Sequence, residues 1–82
     1  MSRTKVLLSV ARDFAEAISK HIDALQEMSK TEENVKVALA LEHDDFRHAC
    51  QDAMRAAADV DATLITLGEV AVRYTTAYKS TT

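Results

Sequence analysis

The densest set of residues able to do chemistry in this chain is His43, Asp44, Asp45, His48 and Asp52. Within it Asp44, His48 and Asp52 are spaced four apart, so a helix would carry two carboxylates and an imidazole one turn above another. That is a partial grip for a divalent cation, which would need a further ligand from another chain because ions such as zinc take four. The same residues have a plainer use, as an acid that caps a helix followed by i, i+4 pairs on a solvated face. We read the cluster in the second way. No metal or other cofactor is assigned, and Asp44, His48 and Asp52 stand as the candidate ligands.

Cys50 is the single cysteine, so no disulfide can close within the chain. As a nucleophile it would need a base and an oxyanion site. His48, two residues away, falls on a different side of a helix and is badly placed to take its proton. Beside Ala49, Cys50 reads as a small apolar packing residue. His21 lies at the edge of an apolar row next to Ile22, where a histidine ring finds a hydrogen-bond partner at the rim of a packed surface. These residues do not converge on one pocket, and no catalytic residue is named: the chain is read as a non-enzyme.

Eighty-two residues make one domain, 1–82, and a chain this short hides only about 60% of its unfolded surface, so a partner is the expected remedy. Ten basic and thirteen acidic residues are intermixed, for a net charge of -3. No basic stripe follows a phosphate backbone, and the aromatics are two Phe and two Tyr on apolar rows, which argues against nucleic acid. The apolar opening Val6 to Val10 runs straight into Arg12 and Asp13, too short for a signal-peptide core or a membrane span. The chain is expected to be cytoplasmic when synthesised and not inserted in a membrane, with export lacking a cleaved signal peptide left open.

The elements that must position these residues are helices. There is no Pro and one Gly, and apolar residues advance in alternating steps of four and three. The first row is Leu7, Ala11, Phe14, Ile18, His21 or Ile22, Leu25 and Met28. The second runs Val35, Leu39, Phe46, Ala49, Ala53, Ala57, Val60, Leu64, Leu67, Ala71, Tyr74 and Tyr78. The fold class is all-α: an antiparallel hairpin of two long helices, the first starting near Ser2 or Thr4, with its turn near 42–45 where Asp44 or Asp45 can cap a helix opening on Phe46. A break near 29–33, where Thr31 precedes two acids, gives a three-helix variant. Phe14, Ile18, Leu25, Phe46, Leu64 and Leu67 are expected to hold the hairpin together.

Two further rows have no place inside such a hairpin: Leu8, Ala15 and Ile22 on the first arm, and Ala58, Ile65 and Val72 on the second, each seven apart. Two helices can cover one stripe each, so these rows need another molecule. Thr63, Thr66, Thr75 and Thr76, weak helix formers on the expected wet side of the second arm, suit a surface that meets protein. Leu8, Ile22, Ile65, Gly68, Val72, Tyr74 and Tyr78 are the expected partner surface, with Gly68 allowing a close helix approach and the tyrosines at the distal end of the seam, their hydroxyls within reach of water or a partner. The partner is expected to be a second copy, giving a homodimer, or a different helical protein, giving a heterodimer.

From Phe46 onward the order Phe46, Ala56, Ala57, Ala58, Val60, Leu64, Leu67, Ala71, Tyr78 resembles the WXG or early-secreted-antigen family of type VII secretion, small helical hairpins. The resemblance covers about the second half of the chain. The family's Trp-x-Gly turn is replaced by Ala38, Leu39, Ala40, and its Tyr followed four residues later by an acid is replaced by Tyr74–Tyr78 and Tyr78–Thr82. What the resemblance implies is a divergent member, or a helical partner that binds a larger type VII effector and escorts it, with the export signal on that effector. The rivals are an unrelated bacterial or phage helical accessory protein and a metal-binding helical bundle.

Overall fold

The computed structural model describes residues 3–41 and 45–81. Helix α1 spans Arg3–Ala40 and α2 spans Phe46–Thr81, and the two pack antiparallel as a hairpin. The chain is a rod of 60 × 16 × 14 Å with a radius of gyration of 18.3 Å. A compact domain of this length would have about 12 Å.

α1 runs through Ser29 to Asn34 without interruption, so the three-helix variant does not form. No Pro or Gly breaks that stretch, and the packed row continues through it as Met28, Thr31 and Val35. Thr31 is buried there, and its hydroxyl donates to the Met28 carbonyl at 2.8 Å, which pairs its own polar group. The turn falls where expected. Leu41 N–H donates to the Val37 carbonyl at 3.0 Å as α1 ends, and Ala49 N–H donates to the Asp45 carbonyl at 2.9 Å, which puts Asp45 in the N-cap place of α2. Ser2 and Glu42, His43 and Asp44 lie outside the described residues.

The seam is a heptad repeat on both helices. Labelled so that a and d face the other helix, the a row holds Leu7, Phe14, His21, Met28 and Val35 on α1 and Ala53, Val60, Leu67 and Tyr74 on α2. The d row holds Val10, Ala17, Ala24, Thr31 and Ala38 on α1, with Ala49, Ala56, Thr63, Val70 and Ala77 on α2. All of these are buried or half-buried. The most buried set is Ala17, Thr31, Ala38, Ala56 and Val70, and among the described residues no large side chain is wholly enclosed. Small d residues let the two backbones approach along their whole length.

This corrects one expectation. Ile18, Leu25, Phe46 and Leu64 do not hold the hairpin together; they are between 38% and 52% exposed. The a row can be extended on either side at steps of three and four: toward d, or toward the neighbouring e row that contains Ile18, Leu25 and Leu64. On α1 the e row reaches Glu32, whereas the d row stays small and uncharged from Val10 to Ala38. Only the d row can stay packed as far as the turn.

Two polar or aromatic contacts set the stagger of the helices. Phe14 stacks on Tyr74 with ring centroids 5.1 Å apart. His21 Nδ1 lies 2.9 Å from Thr63 Oγ1, and the Thr63 hydroxyl also lies 3.1 Å from the Val60 carbonyl, which can only accept. The one hydroxyl proton therefore goes to Val60, and Nδ1–H of His21 donates to the hydroxyl oxygen. Thr63 thus sits in the seam; Thr66, Thr75 and Thr76 are exposed.

Ala56→Leu forces a large side chain into the most buried position of the core and is expected to cost about 1–3 kcal/mol in chemical denaturation. Ala58→Leu, two residues on and exposed, is expected to stay within about 0.5 kcal/mol of the parent. In nitrogen NMR of the neutral His21 ring the proton is expected on Nδ1; a ring carrying it on Nε2 contradicts the hydrogen bond to Thr63.

Candidate interaction surface

In an antiparallel pair, the rows on one side of the seam of one helix lie beside the same-lettered rows of the other. The grooves between the helices show which residues share a side. Glu32 and Lys36 of α1 line one groove with Cys50 and Met54 of α2, which are e and b positions on both helices. Glu27 and Asn34 line the opposite groove with Asp52 and Asp59, all g positions, and Lys20 and Thr66 continue it. The rod therefore has an e/b side and a g/c side.

Their chemistry differs. The g/c side carries Asp13, Glu16, Lys20, Asp23, Glu27 and Lys30 on α1 and Asp52, Arg55, Asp59, Glu69 and Arg73 on α2. Its ion pairs, Lys20–Glu16 at 3.5 Å and Arg55–Asp52 at 3.9 Å, are exposed and of the kind that contributes little. On the e/b side, α1 presents Leu8, Ala11, Ala15, Ile18, Ile22 and Leu25 in unbroken steps of three and four, with no charge among them. α2 presents Ala57, Leu64, Gly68, Ala71 and Tyr78, interrupted by Asp61 and Thr75. Leu8, Ile22 and Leu64 are 61%, 47% and 52% exposed. Ile65 and Val72, at 64% and 67%, widen this side along the outer edge of α2. This side therefore exposes large aliphatic side chains along both helices.

Of the partner residues expected from the sequence, Leu8, Ile22, Ile65, Val72 and Tyr78 are exposed. Tyr78 also stacks on Tyr74 at 6.4 Å. Tyr74 is placed differently, half-buried in the seam against Phe14, because it falls on an a position. Gly68 is exposed, and a Cβ added there would meet nothing within 4 Å, so the close approach expected at Gly68 is not made within the hairpin. Ile18, Leu25 and Leu64 belong to the same side. The signal for them was present in the sequence as the 8, 11, 15, 18, 22, 25 spacing, a second stripe overlapping the first.

The candidate metal ligands do not assemble among the described residues. His48 Nε2 is 3.8 Å from Asp52 Oδ2, an exposed i, i+4 pair on one helix, and no group of three or more such side chains is placed to hold an ion. Asp44 lies outside the described residues. Cys50 is half-buried in the groove with Val35, Ala53 and Met54, matching its reading as a packing residue. No described helix is long and apolar enough to cross a membrane. Compared with known proteins, the chain matches no family model, no curated protein and no solved structure.

Proposed function

We propose that this chain is a non-enzymatic helical interaction protein that works by laying its e/b side against a second helical pair. The observation that carries this reading is the inverted distribution of side chains: the hairpin interior holds Ala17, Thr31, Ala38, Ala56 and Val70, while Leu8, Ile18, Ile22, Leu25, Leu64, Ile65 and Val72 remain exposed. Burying one large aliphatic side chain is worth about 1.5–3 kcal/mol, so docking that covers these exposed residues would add substantially to what the seam supplies. The opposite, charged side keeps the assembled rod soluble and limits pairing to one surface.

A narrower form of this reading makes the chain a small partner, targeting chaperone or substrate of a type VII-like secretion system. Its support is the residue order from Phe46 to Tyr78 together with a hairpin turned near its midpoint. A chain of this kind would meet the helices of an effector with the same e/b side.

Docking ties stability to concentration. The midpoint of thermal unfolding is expected to rise with the concentration of the chain, or of its helical partner, by about 10 °C or more at a hundredfold excess over Kd. Ile65→Asp and Val72→Asp are each expected to weaken pairing by about tenfold or more, which is 1.4 kcal/mol, with far-UV helicity retained. A midpoint independent of concentration, and unmoved by the product of any neighbouring gene, contradicts the reading. For the narrower form, co-expression with a type VII effector is expected to give a stable complex, and its absence removes that form alone.

A further inference from the structure

We infer that the occupant of the e/b side is a second copy of this chain, set antiparallel to the first about a two-fold axis that crosses α1 midway between Ala15 and Ile18 and α2 midway between Gly68 and Ala71. This rests on the docking reading above and adds its partner and register. The first ground is area. The chain exposes 6305 Å². A folded monomer of its 9.0 kDa mass exposes about 4,900 Å² by the usual scaling, which leaves roughly 1,400 Å² in excess. A stable homodimer covers about 1,000 Å² or more on each partner, so one further copy is enough to account for the excess.

The second ground is self-complementarity in size. Turning α1 about the midpoint of Ala15 and Ile18 sets Ile18 against the second copy's Ala15, Ile22 against its Ala11, and Leu8 against its Leu25. Large meets small at the centre and large meets large only at the ends. The contacts His21–Thr63 and Phe14–Tyr74 place that midpoint level with the one between Gly68 and Ala71 on α2. The same axis then sets Gly68 against Ala71, Leu64 against Thr75, and Asp61 against the hydroxyl end of Tyr78. One axis satisfies both helices. It also gives Gly68 a role, since the open space around its Cα is where the two α2 helices come closest.

The third ground is where the surface stops being apolar. In this register the copies overlap over about residues 3–30 of α1, and the α1 row turns polar at Ser29, Glu32 and Lys36, where the overlap ends. The other two-fold arrangement, with both turns at one end and α1 over the partner's α2, extends the contact over the whole rod. It would press Glu32 onto Met54, Lys36 onto Cys50 and Leu25 onto Asp61, burying three charges against apolar side chains. The antiparallel arrangement leaves Glu32 and Lys36 outside the overlap and sets Asp61 against a hydroxyl rather than an apolar side chain.

The test uses the full chain with Cys50→Ala and a spin label on Lys30→Cys, which lies on the charged side away from the contact. Light scattering is expected to give twice the 9.0 kDa chain mass. Pulsed EPR is expected to give a label separation of about 40 Å or more, set by the 27 residues of axial offset at 1.5 Å each. A dimer with labels under about 30 Å apart, within the width of two stacked hairpins, overturns the register. A folded monomer that gains thermal stability only when a different helical protein is added overturns self-pairing and leaves the docking reading standing. A folded monomer whose stability nothing changes overturns both. Gly68→Leu, which meets no atom of its own chain, is expected to weaken the dimer at least tenfold with helicity unchanged; a dimer of unaltered affinity contradicts the close approach, and the label distance decides the register should this variant fail to fold.

Discussion

Two helices can hide one stripe of each from water, and this chain has placed its small side chains on the stripe that is hidden. Ala17, Ala24, Ala38, Ala49, Ala56 and Ala77 occupy the close line of the seam, and the larger residues lean to one side of it or lie outside. Alanine at these positions costs little side-chain entropy and favours helix, so two helices of 38 and 36 residues can form and align. It also contributes little apolar area. The d row thus sets the shape of the hairpin while contributing little area, and the a row, Phe14, Leu67 and Tyr74 among it, supplies the larger part of the packing.

Specification of the shape falls partly to polar groups. An Ala-rich seam slides easily, because one alanine packs much like another. Thr31 and Thr63 meet their own hydrogen-bonding needs by bonding back to Met28 and Val60, so they can sit in the seam without disrupting it. The His21 to Thr63 bond and the Phe14 to Tyr74 stack are then made in one register only. A slip by one heptad would leave the imidazole facing an apolar residue and open a gap beside Phe14. The stagger matters outside the seam too, since it decides which e/b residues of α1 lie level with which of α2.

The helical class, the midpoint turn and the presence of surplus apolar rows were legible in the sequence. The absence of Pro, the single Gly and the long spacing of threes and fours leave few other folds, and Asp45 before Phe46 marks the start of α2. What was not legible was which of two overlapping stripes each helix would turn inward. Size and hydrophobicity point to the row with Ile18, Leu25 and Leu64, and the structure uses the row with Ala17, Ala24 and Thr63. The choice is made by continuity over the full rod, a tertiary property: Glu32 interrupts the first row, and only the second remains uncharged to the turn. Tyr74, an a residue, lies in the seam as the spacing of the second row indicates and not on the outer surface. The candidate metal residues could not be judged by spacing alone, since four-apart acids and histidines on a helix serve equally as solvated pairs, as His48 and Asp52 do.

The outward placement of the large residues also constrains how the chain can fold. Nucleating a long helix is unfavourable, and helix stability in proteins comes mainly from packing of an amphipathic face. Here the face with the larger payload is the e/b side, so a pairing event that covers Ile18, Ile22, Leu25 and Leu64 supplies stabilisation to both helices at once. The alanine seam sets the level of one helix against the other, and that level presents the outer residues as a single patch instead of two displaced ones. Alanines along the d row leave leucines and isoleucines on the e/b side, so under the docking reading proposed above the seam and that side form one design.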